Sequence, residues 1–214
     1  MSDESAACRA RGQKVQFFAP YWNGRSVLDV GCAGQGYDIS HPAWLHGIVC
    51  RSARYCVGLD HDKGAVDAAN RAGYQLVHAD AQRFSFQERF EVVNALDVIE
   101  HLEDPKGFFG SVSECLLPGG VLLLSTPNPW FFMRTLRCFL KNTGGANPDH
   151  VTWFCTETIS ELLRRNGFAV ERIAYGSGER RLYWYRFLPA SIRHTSIFIV
   201  ARLESSNTPI GSLT

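Results

Sequence analysis

Five short apolar runs constrain the fold of this chain more than any other feature of its sequence. They are SVLDVG, RYCVGLD, YQLVHAD, FEVVNALD and GGVLLLSTP, at residues 26–31, 54–60, 74–80, 90–97 and 119–127. Apolar runs of this length, bounded by glycine, proline or aspartate, are typical of β-strands. Segments whose apolar residues have helical spacing lie between several of these runs, for example HDKGAVDAANRAG after the second run. The alternation predicts an α/β fold with a mostly parallel sheet and helices on both faces.

Two more helices and two closing strands are predicted after the fourth run. One helix covers roughly 105–116, and the other is TETISELLRRNG at 156–167, with Thr156 as its cap and Gly167 at its end. Ile159, Leu162 and Leu163 should face the core. FAVERIAYG and TSIFIVARL are typical of strands.

The 214 residues suit one domain. We predict an N-terminal segment at 1–24, a single domain at 25–203 with a substrate-side insertion at about 128–150, and a flexible tail at 204–214. Residues 1–13 have the composition of a frayed end.

Charge and cysteine usage narrow the class of protein. The net charge of +1 argues against a long nucleic acid as partner. The seven cysteines are odd in number and irregularly spaced, without a CxxC pair or a secretory signal before them. These features favour reduced thiols in a cytoplasmic protein. No apolar stretch reaches the length of a membrane span.

Acidic residues recur at the ends of the predicted strands. Asp29, Asp60, Asp80 and Asp97 lie in or near the ends of the first four runs, and residues 125–128 end the fifth. Open parallel sheets bind ligands at the carboxyl ends of their strands. This pattern is hard to obtain from packing alone and predicts a ligand site at that edge.

The turn after the first run, in VLDVGCAGQG, contains Gly31, Gly34 and Gly36. Glycine permits positive φ and close approach of the backbone to a ligand. A tight turn without a ligand is the alternative. The dinucleotide fingerprint G-x-G-x-x-G has a different spacing and lacks the preceding acid.

VLDVGCAGQG resembles motif I of the class I S-adenosylmethionine-dependent methyltransferases, although Ala33 and Gln35 stand where that family has glycine. VGLDHD and VHADAQRF are similar to its second- and third-strand motifs. The resemblance covers residues 25 to 203. It implies a Rossmann-like, seven-stranded class I methyltransferase fold with S-adenosylmethionine as cofactor. The implied cofactor-binding residues are Asp29, Gly31, Cys32, Ala33, Gly36, Asp60, His61, Asp80, Ala81 and Leu96.

The resemblance also assigns roles to several of these residues. Asp60 would accept hydrogen bonds from both ribose hydroxyls, because a carboxylate offers two acceptor oxygens. Asp80 would accept from the adenine amino group, Ala81 would offer its N–H, and His61 would pack near the adenine.

The stretch NALDVIEHLEDP, residues 94–105, begins at the end of the fourth run and contains several acidic residues and a histidine. A helical turn would put Asp97, Glu100 and His101 on one face. An acidic helix start that complements the helix dipole is the alternative. Glu103 and Asp104 are expected to be solvated.

The order D-x-x-E-H, STPN, then Asp-His before an aromatic pair resembles two groups. They are the 3-O-methyltransferases of ubiquinone synthesis and the small-RNA 2′-O-methyltransferases. The resemblance implies a catalytic role and a divalent metal, Mg²⁺, Mn²⁺, Fe²⁺ or Zn²⁺, for Asp97, Glu100, His101 and His150. A metal would activate a hydroxyl; without one, either histidine could act as general base.

Residues 130–142, WFFMRTLRCFLKN, mix aromatic and basic side chains. This segment is predicted to be a lid over the acceptor or an interfacial helix on an anionic membrane, and a helix packed on the core is the alternative. RRLYWYRFLP, 180–189, would line the same mouth or form a dimer contact.

The sequence thus predicts O-methylation of a hydroxyl on a small molecule, a sugar or glycan, or a lipid-linked acceptor. An N- or C-methyltransferase and a non-catalytic module of the same fold are the alternatives. A nicotinamide-dependent reductase is disfavoured by the glycine spacing and the missing Tyr-x-x-x-Lys pair.

Overall fold

The structure is a computed structural model that describes residues 2–33, 39–143, 145, 147–176 and 187–204, with side chains from residue 12 onward. Seven strands form one sheet: β1 (Ser26–Val30), β2 (Tyr55–Asp60), β3 (Leu76–His78), β4 (Phe90–Leu96), β5 (Leu116–Pro127), β6 (Phe168–Gly176) and β7 (Ser196–Leu203). Their order is β3-β2-β1-β4-β5-β7-β6. β7 is antiparallel to both β5 and β6, and the pairs from β3 to β5 are parallel.

Seven α-helices and one short 3₁₀ turn accompany the strands in the described part of the chain. They are α1 (Ser2–Trp22), α2 (Leu45–Ser52), α3 (Lys63–Arg71), α4 (Pro105–Cys115), α5 (Phe132–Lys141), α6 (Thr156–Arg165), α7 (Ala190–Arg193) and the 3₁₀ turn Ile99–His101. The predicted α/β architecture with a mostly parallel sheet is confirmed.

Helices cover both faces of the sheet because neighbouring strand residues alternate between two cores. On β1, Val27 packs in one core and Leu28 in the other. The first core includes residues of α1 and α2, and the second includes residues of α4 and α6.

The start of the chain differs from the frayed end expected at residues 1–13, because α1 runs from Ser2 to Trp22. Phe18 and Trp22, one helical turn apart, are completely buried against Phe198 and its neighbours. The Trp22 indole also donates to Asn94 Oδ1 at 3.3 Å. Packing of these aromatic side chains anchors α1 to the sheet.

Two helix caps differ from their predictions. Cys155, and not Thr156, is the N-cap of α6, where its N–H donates to Thr158 Oγ1 at 3.1 Å. Asp104, expected to be solvated, caps α4 by accepting from the Gly107 N–H at 3.0 Å. Ile159 and Leu163 are buried, as predicted.

Candidate functional site

Gly31 lies in the turn that follows β1, at the carboxyl edge of the sheet. Its φ of +68° is a left-handed conformation that favours glycine. A Cβ at this position would lie 2.6 Å from Val98 Cγ2. The Gly31 N–H donates to the Leu59 carbonyl at 2.7 Å, which joins the turn to β2. A side chain at Gly31 would therefore disturb the turn and the segment after β4.

Asp60, at the end of β2, has a side chain that is 7% exposed. Its Oδ2 accepts from the Ala33 N–H at 2.8 Å, and its Oδ1 accepts from the Asp62 N–H at 3.0 Å. The His61 ring Nδ1 is 3.4 Å from Oδ1, and this side chain is largely exposed. Asp60 thus fixes the glycine turn, and each oxygen keeps a lone pair for a further donor.

Asp29 lies beneath the same turn, and both of its oxygens have protein partners. Asn94 Nδ2 donates to Oδ1 at 2.6 Å, and His46 Nδ1 lies 2.8 Å from Oδ2. Burial opposes a charge on His46, but hydrogen bonds to Asp29, Cys32 and Cys50 raise its pKa to about 12. Asp29 supports the turn from below instead of offering a free carboxylate to a ligand.

The remaining predicted cofactor residues follow neighbouring strands. Cys32 and Ala33 are buried in the β1 turn, and Leu96 is half-buried at the end of β4. Asp80 is exposed and accepts from the Gln82 N–H at 2.9 Å, while Ala81 is half-buried. Gly36, with residues 34 and 35, lies outside the described residues. The described residues of the predicted cofactor set lie at one edge of the sheet, because each lies at or after the carboxyl end of a parallel strand.

The NALDVIEHLEDP stretch gathers three side chains with metal-ligand chemistry. One nitrogen or oxygen atom from each of Glu100, His101 and His150 lies within 4.8 Å of the others. His101 Nδ1 donates to the Asp149 carbonyl at 3.0 Å, which leaves Nε2 as the acceptor nitrogen. The Val151 N–H donates to the Glu100 carbonyl at 3.0 Å, so the 147–152 segment is docked on this turn.

Two groups of this cluster are buried without a hydrogen-bond partner among the described residues. Glu100 is 1% exposed, and neither carboxylate oxygen meets hydrogen-bond geometry with a partner in the described ranges. The same is true of His150 Nδ1. Burial and then the Asp97 charge raise the pKa of Glu100 to about 8. Burial, then His101 and Arg134, lower the pKa of His150, which keeps its ring neutral.

Asp97 lies outside this cluster, which differs from the predicted four-residue ligand set. Its carboxylate pairs with the Lys14 ammonium and accepts from Ser125 Oγ at 2.6 Å. Its φ is +56°, and the following turn is 3₁₀, so the α-helical spacing that would align it with Glu100 does not apply. Desolvation opposes ionisation of Asp97, but the Lys14 charge together with the hydrogen bonds from Lys14 and Ser125 lowers the pKa of Asp97.

α5 projects from the same end of the sheet and contains no buried side chain, so the core-helix interpretation of 130–142 is wrong. Phe139 is 88% exposed and Leu140 70%. A groove of about 520 Å³ runs along it, lined by Phe131, Met133, Arg134, Leu136, Arg137, Leu140, Lys141 and Gly145. The Arg134 guanidinium stacks over Trp153 at 4.2 Å. Most of the 180–189 segment lies outside the described residues.

Four residues around these sites were missed by sequence reasoning. Lys14 falls in α1, next to the segment expected to be frayed, and nothing near it in sequence indicates a partner. His46, Cys50 and Cys56 lie in or beside apolar runs, where a lone polar or thiol side chain is usually part of the core.

None of the helices in the described ranges combines the length and apolar character that a membrane crossing requires.

A Rossmann-like sheet of this order, with a glycine turn and an acid at adjacent strand ends, defines the class I methyltransferase architecture. Residues 3–173 match the family model described as "Methyltransferase domain", and the chain belongs to that family. The resemblance drawn from the sequence motifs is confirmed at the level of family and fold.

Curated relatives carry related descriptions. A "Probable S-adenosylmethionine-dependent methyltransferase" of Mycolicibacterium smegmatis is 35% identical over 152 residues, which cover 69% of this chain and 53% of that protein. A ubiquinone biosynthesis O-methyltransferase of Coxiella burnetii is 28% identical over 130 residues, 58% of this chain and 50% of that protein. The chain spans about half the length of these relatives. A solved methyltransferase from Mesorhizobium loti shares the fold, with a TM-score of 0.64, 19% identity, and 90% and 97% of the two chains covered.

Proposed function

We propose that this chain transfers a methyl group from S-adenosylmethionine to a hydroxyl oxygen of a small molecule, a sugar or glycan, or a lipid-linked acceptor. The observation that carries the proposal is the Glu100–His101–His150 cluster at the end of β4. It lies at the same sheet edge as Asp60, with only β1 between β2 and β4. Groups able to bind and deprotonate a hydroxyl thus accompany the expected cofactor site.

The cofactor half of the site is suited to a nucleoside with a free diol. Asp60 offers two carboxylate oxygens, and its backbone contacts hold them at the glycine turn. Gly31 gives the turn its left-handed conformation, and the small Ala33 side chain should allow a ligand to approach the backbone closely. S-adenosylmethionine supplies an electrophilic methyl on a sulfonium and departs as the neutral thioether.

The second half of the site suits a divalent metal. Two imidazoles and one carboxylate favour Mn²⁺, Fe²⁺ or Zn²⁺ over Mg²⁺. The buried Glu100 oxygens and His150 Nδ1 without partners fit a ligand set, and the Asp149 carbonyl orients the His101 ring as an outer-shell acceptor. A bound metal would lower the pKa of the acceptor hydroxyl.

The chain's own residues account for the proton. The acceptor oxygen forms a bond to the methyl carbon while the carbon–sulfur bond breaks. When no metal is bound, each imidazole keeps an acceptor nitrogen, and the hydroxyl proton leaves to His101 or His150; His150 is available at neutral pH because its pKa is lowered. The products are a methyl ether and S-adenosylhomocysteine. Glu100 and His101 hold the acceptor in line for this displacement.

The acceptor proposal rests on α5 and its groove. The lining combines apolar Phe131, Met133 and Leu140 with basic Arg137 and Lys141. Such a surface suits an acceptor with an apolar or ring body and a negative group, such as a quinone precursor, a phenol, or a nucleotide- or lipid-linked sugar. Phe139 and Leu140 are exposed and apolar, so we also propose that residues 130–142 contact a membrane peripherally. The protein would otherwise be cytoplasmic.

Calorimetric titration with S-adenosylhomocysteine, with EDTA and then with added Mn²⁺ or Mg²⁺, tests the proposal. We expect micromolar binding of S-adenosylhomocysteine and a separate metal heat that the His101→Ala protein loses. His78→Ala is the matched control, because that exposed histidine is the last residue of β3 and its ring contacts the His61 carbonyl.

Each other result selects a different function. Cofactor binding without any metal heat leaves a metal-free base, and methylation of amines instead of hydroxyls would select an N-methyltransferase. Absence of S-adenosylhomocysteine binding in the folded protein would select the non-catalytic module.

A further inference from the structure

Beneath the cofactor turn, away from the Glu100–His101–His150 cluster, lies a second group of soft ligands. One atom from each of His46, Cys50 and Cys56 lies within 4.8 Å of the others. His46 and Cys50 are one turn apart on α2, and Cys56 is the second residue of β2. The group therefore joins a helix to the strand that it packs against.

The separation of two of these ligands agrees with tetrahedral coordination of a soft metal. Zinc binds thiolate at about 2.3 Å and imidazole at about 2.0 Å, so two such ligands lie roughly 3.5 Å apart. His46 Nε2 and Cys50 Sγ are 3.3 Å apart. A metal ion would displace the proton from His46 Nε2, and two thiolates and the neutral imidazole would then balance the charge of a divalent cation in this partly buried position.

The His46 ring is oriented as a metal ligand requires. Its Nδ1 faces Asp29 Oδ2 at 2.8 Å, which directs Nε2 towards Cys50. Metal-ligating histidines commonly donate their other ring nitrogen to a carboxylate, which fixes the ring and raises its basicity. Asn94 in turn donates to the other Asp29 oxygen at 2.6 Å. A completely buried hydrogen-bonded chain thus supports this histidine.

Gly58 provides space beside the His46–Cys50–Cys56 group because it has no side chain. A Cβ at Gly58 on β2 would lie 2.5 Å from Cys32 Sγ and 2.9 Å from His46 Cε1. Cys32 Sγ and the His46 ring therefore both border the space above Gly58. Cys32 follows Gly31 in the cofactor turn, so the soft-ligand group contacts that turn from below.

We propose that His46, Cys50 and Cys56 form a second metal site, selective for Zn²⁺, that anchors α2 to β2 and supports the cofactor turn through Asp29. The ligand set differs from the Glu100 cluster because it contains thiolates. Cys50 and Cys56 are only partly buried, so an ion has a route to the site. The site would support the cofactor turn and not bind a substrate, because its histidine is buried below the sheet edge where a substrate would bind.

Co²⁺ is the probe, because a thiolate–cobalt charge-transfer band reports this site and not the thiol-free Glu100 cluster. The full chain, reduced and chelator-treated, should develop this band with one equivalent of Co²⁺, and Zn²⁺ should remove it. Cys50→Ser and Cys56→Ser should each lose the band. Cys138→Ser, at an exposed thiol on α5, and His101→Ala should keep it.

Two results would overturn the proposal. One is the absence of a thiolate band in the folded, reduced wild-type chain. The other is a band that survives Cys50→Ser and Cys56→Ser. Far-UV circular dichroism checks that each variant folds. If the cysteine variants do not fold, Asp29→Asn supplies the second test: it should weaken Zn²⁺ binding roughly 10- to 100-fold, and an unchanged affinity would contradict the site.

Discussion

The Lys14 ammonium on α1 pairs with the Asp97 carboxylate at the end of β4. Lys14 is 12% exposed and Asp97 42% exposed at their side chains. The contact ties the N-terminal helix to the strand edge where the acceptor chemistry is proposed. It also explains why Asp97 does not join Glu100 and the two histidines.

The Lys14–Asp97 pair should be coupled energetically. In a double-mutant cycle of Lys14→Met and Asp97→Asn, measured by urea unfolding, we expect a coupling free energy of about 1 kcal/mol, since the pair is partly buried. Asparagine suits position 97, because it tolerates a positive φ. Additive effects within about 0.3 kcal/mol would show that the two groups do not interact in solution.

Asp60→Ala should weaken S-adenosylhomocysteine binding by roughly 100-fold or more, since it removes a charged acceptor from two ribose hydroxyls. Calorimetry measures the loss, and far-UV circular dichroism checks the fold. Asp67→Ala is the control, because this exposed residue lies on α3 and pairs with Lys63 of the same helix. Unchanged affinity in Asp60→Ala would refute the ribose assignment.

His101→Ala and His150→Ala should keep cofactor affinity while turnover falls by roughly 100- to 10,000-fold, as expected for loss of a general base or acceptor ligand. Initial rates on a hydroxyl acceptor, compared with His78→Ala, provide the measurement. If both variants remain fully active, the catalytic interpretation of this cluster fails.

Glu91 should make stability depend on pH. Its carboxylate accepts from the Ser26 N–H at 2.9 Å and from Arg54 at 2.8 Å, and these contacts hold its pKa below the ordinary value against partial burial. A lowered folded-state pKa gives stability that is present above the unfolded-state pKa, about 4.3, and is lost as the pH falls through the folded value.

Glu91→Gln should therefore destabilise the chain at pH 7 and lose this effect in acid. Urea unfolding from pH 7 into the acid range measures the difference in unfolding free energy between Glu91→Gln and the wild type. Glu114→Gln, on the exposed surface of α4, is the control. A stability difference that does not change with pH would contradict the ionic contribution.

Phe139→Ser with Leu140→Ser should abolish binding to anionic phospholipid vesicles while leaving stability within about 0.5 kcal/mol, since α5 buries no side chain. Co-sedimentation measures the binding, and Leu117→Ser, at an exposed apolar residue at the start of β5, is the control. Equal binding by the double variant and the wild type would exclude α5 as the membrane contact.

Much of the fold was predictable because its signals are local. Apolar runs of strand length and helical spacing define the elements, and parallel strands place Asp60 and the β4 turn at one edge whatever the remote contacts are. Gly31 was predictable for a similar reason, since a positive φ at a tight turn favours one residue type. Glu100, His101 and the distal His150 were predicted from their motif, and the structure brings them together.

The sequence by itself determined the strand pattern, the glycine turn and the acids that follow the strands, because these depend on near neighbours along the chain. Only the tertiary structure decided which polar groups are paired. Lys14 reaches Asp97 across 83 positions, and His46 faces Asp29 across 17, contacts that no local spacing encodes. Packing then sets their chemistry: it leaves the Glu100 carboxylate without a hydrogen-bond partner among the described residues, pairs Asp97 with Lys14, and brings Cys50 and Cys56 to His46. Charge and thiol chemistry depend on what is packed nearby in space, and the linear sequence does not contain that information in readable form.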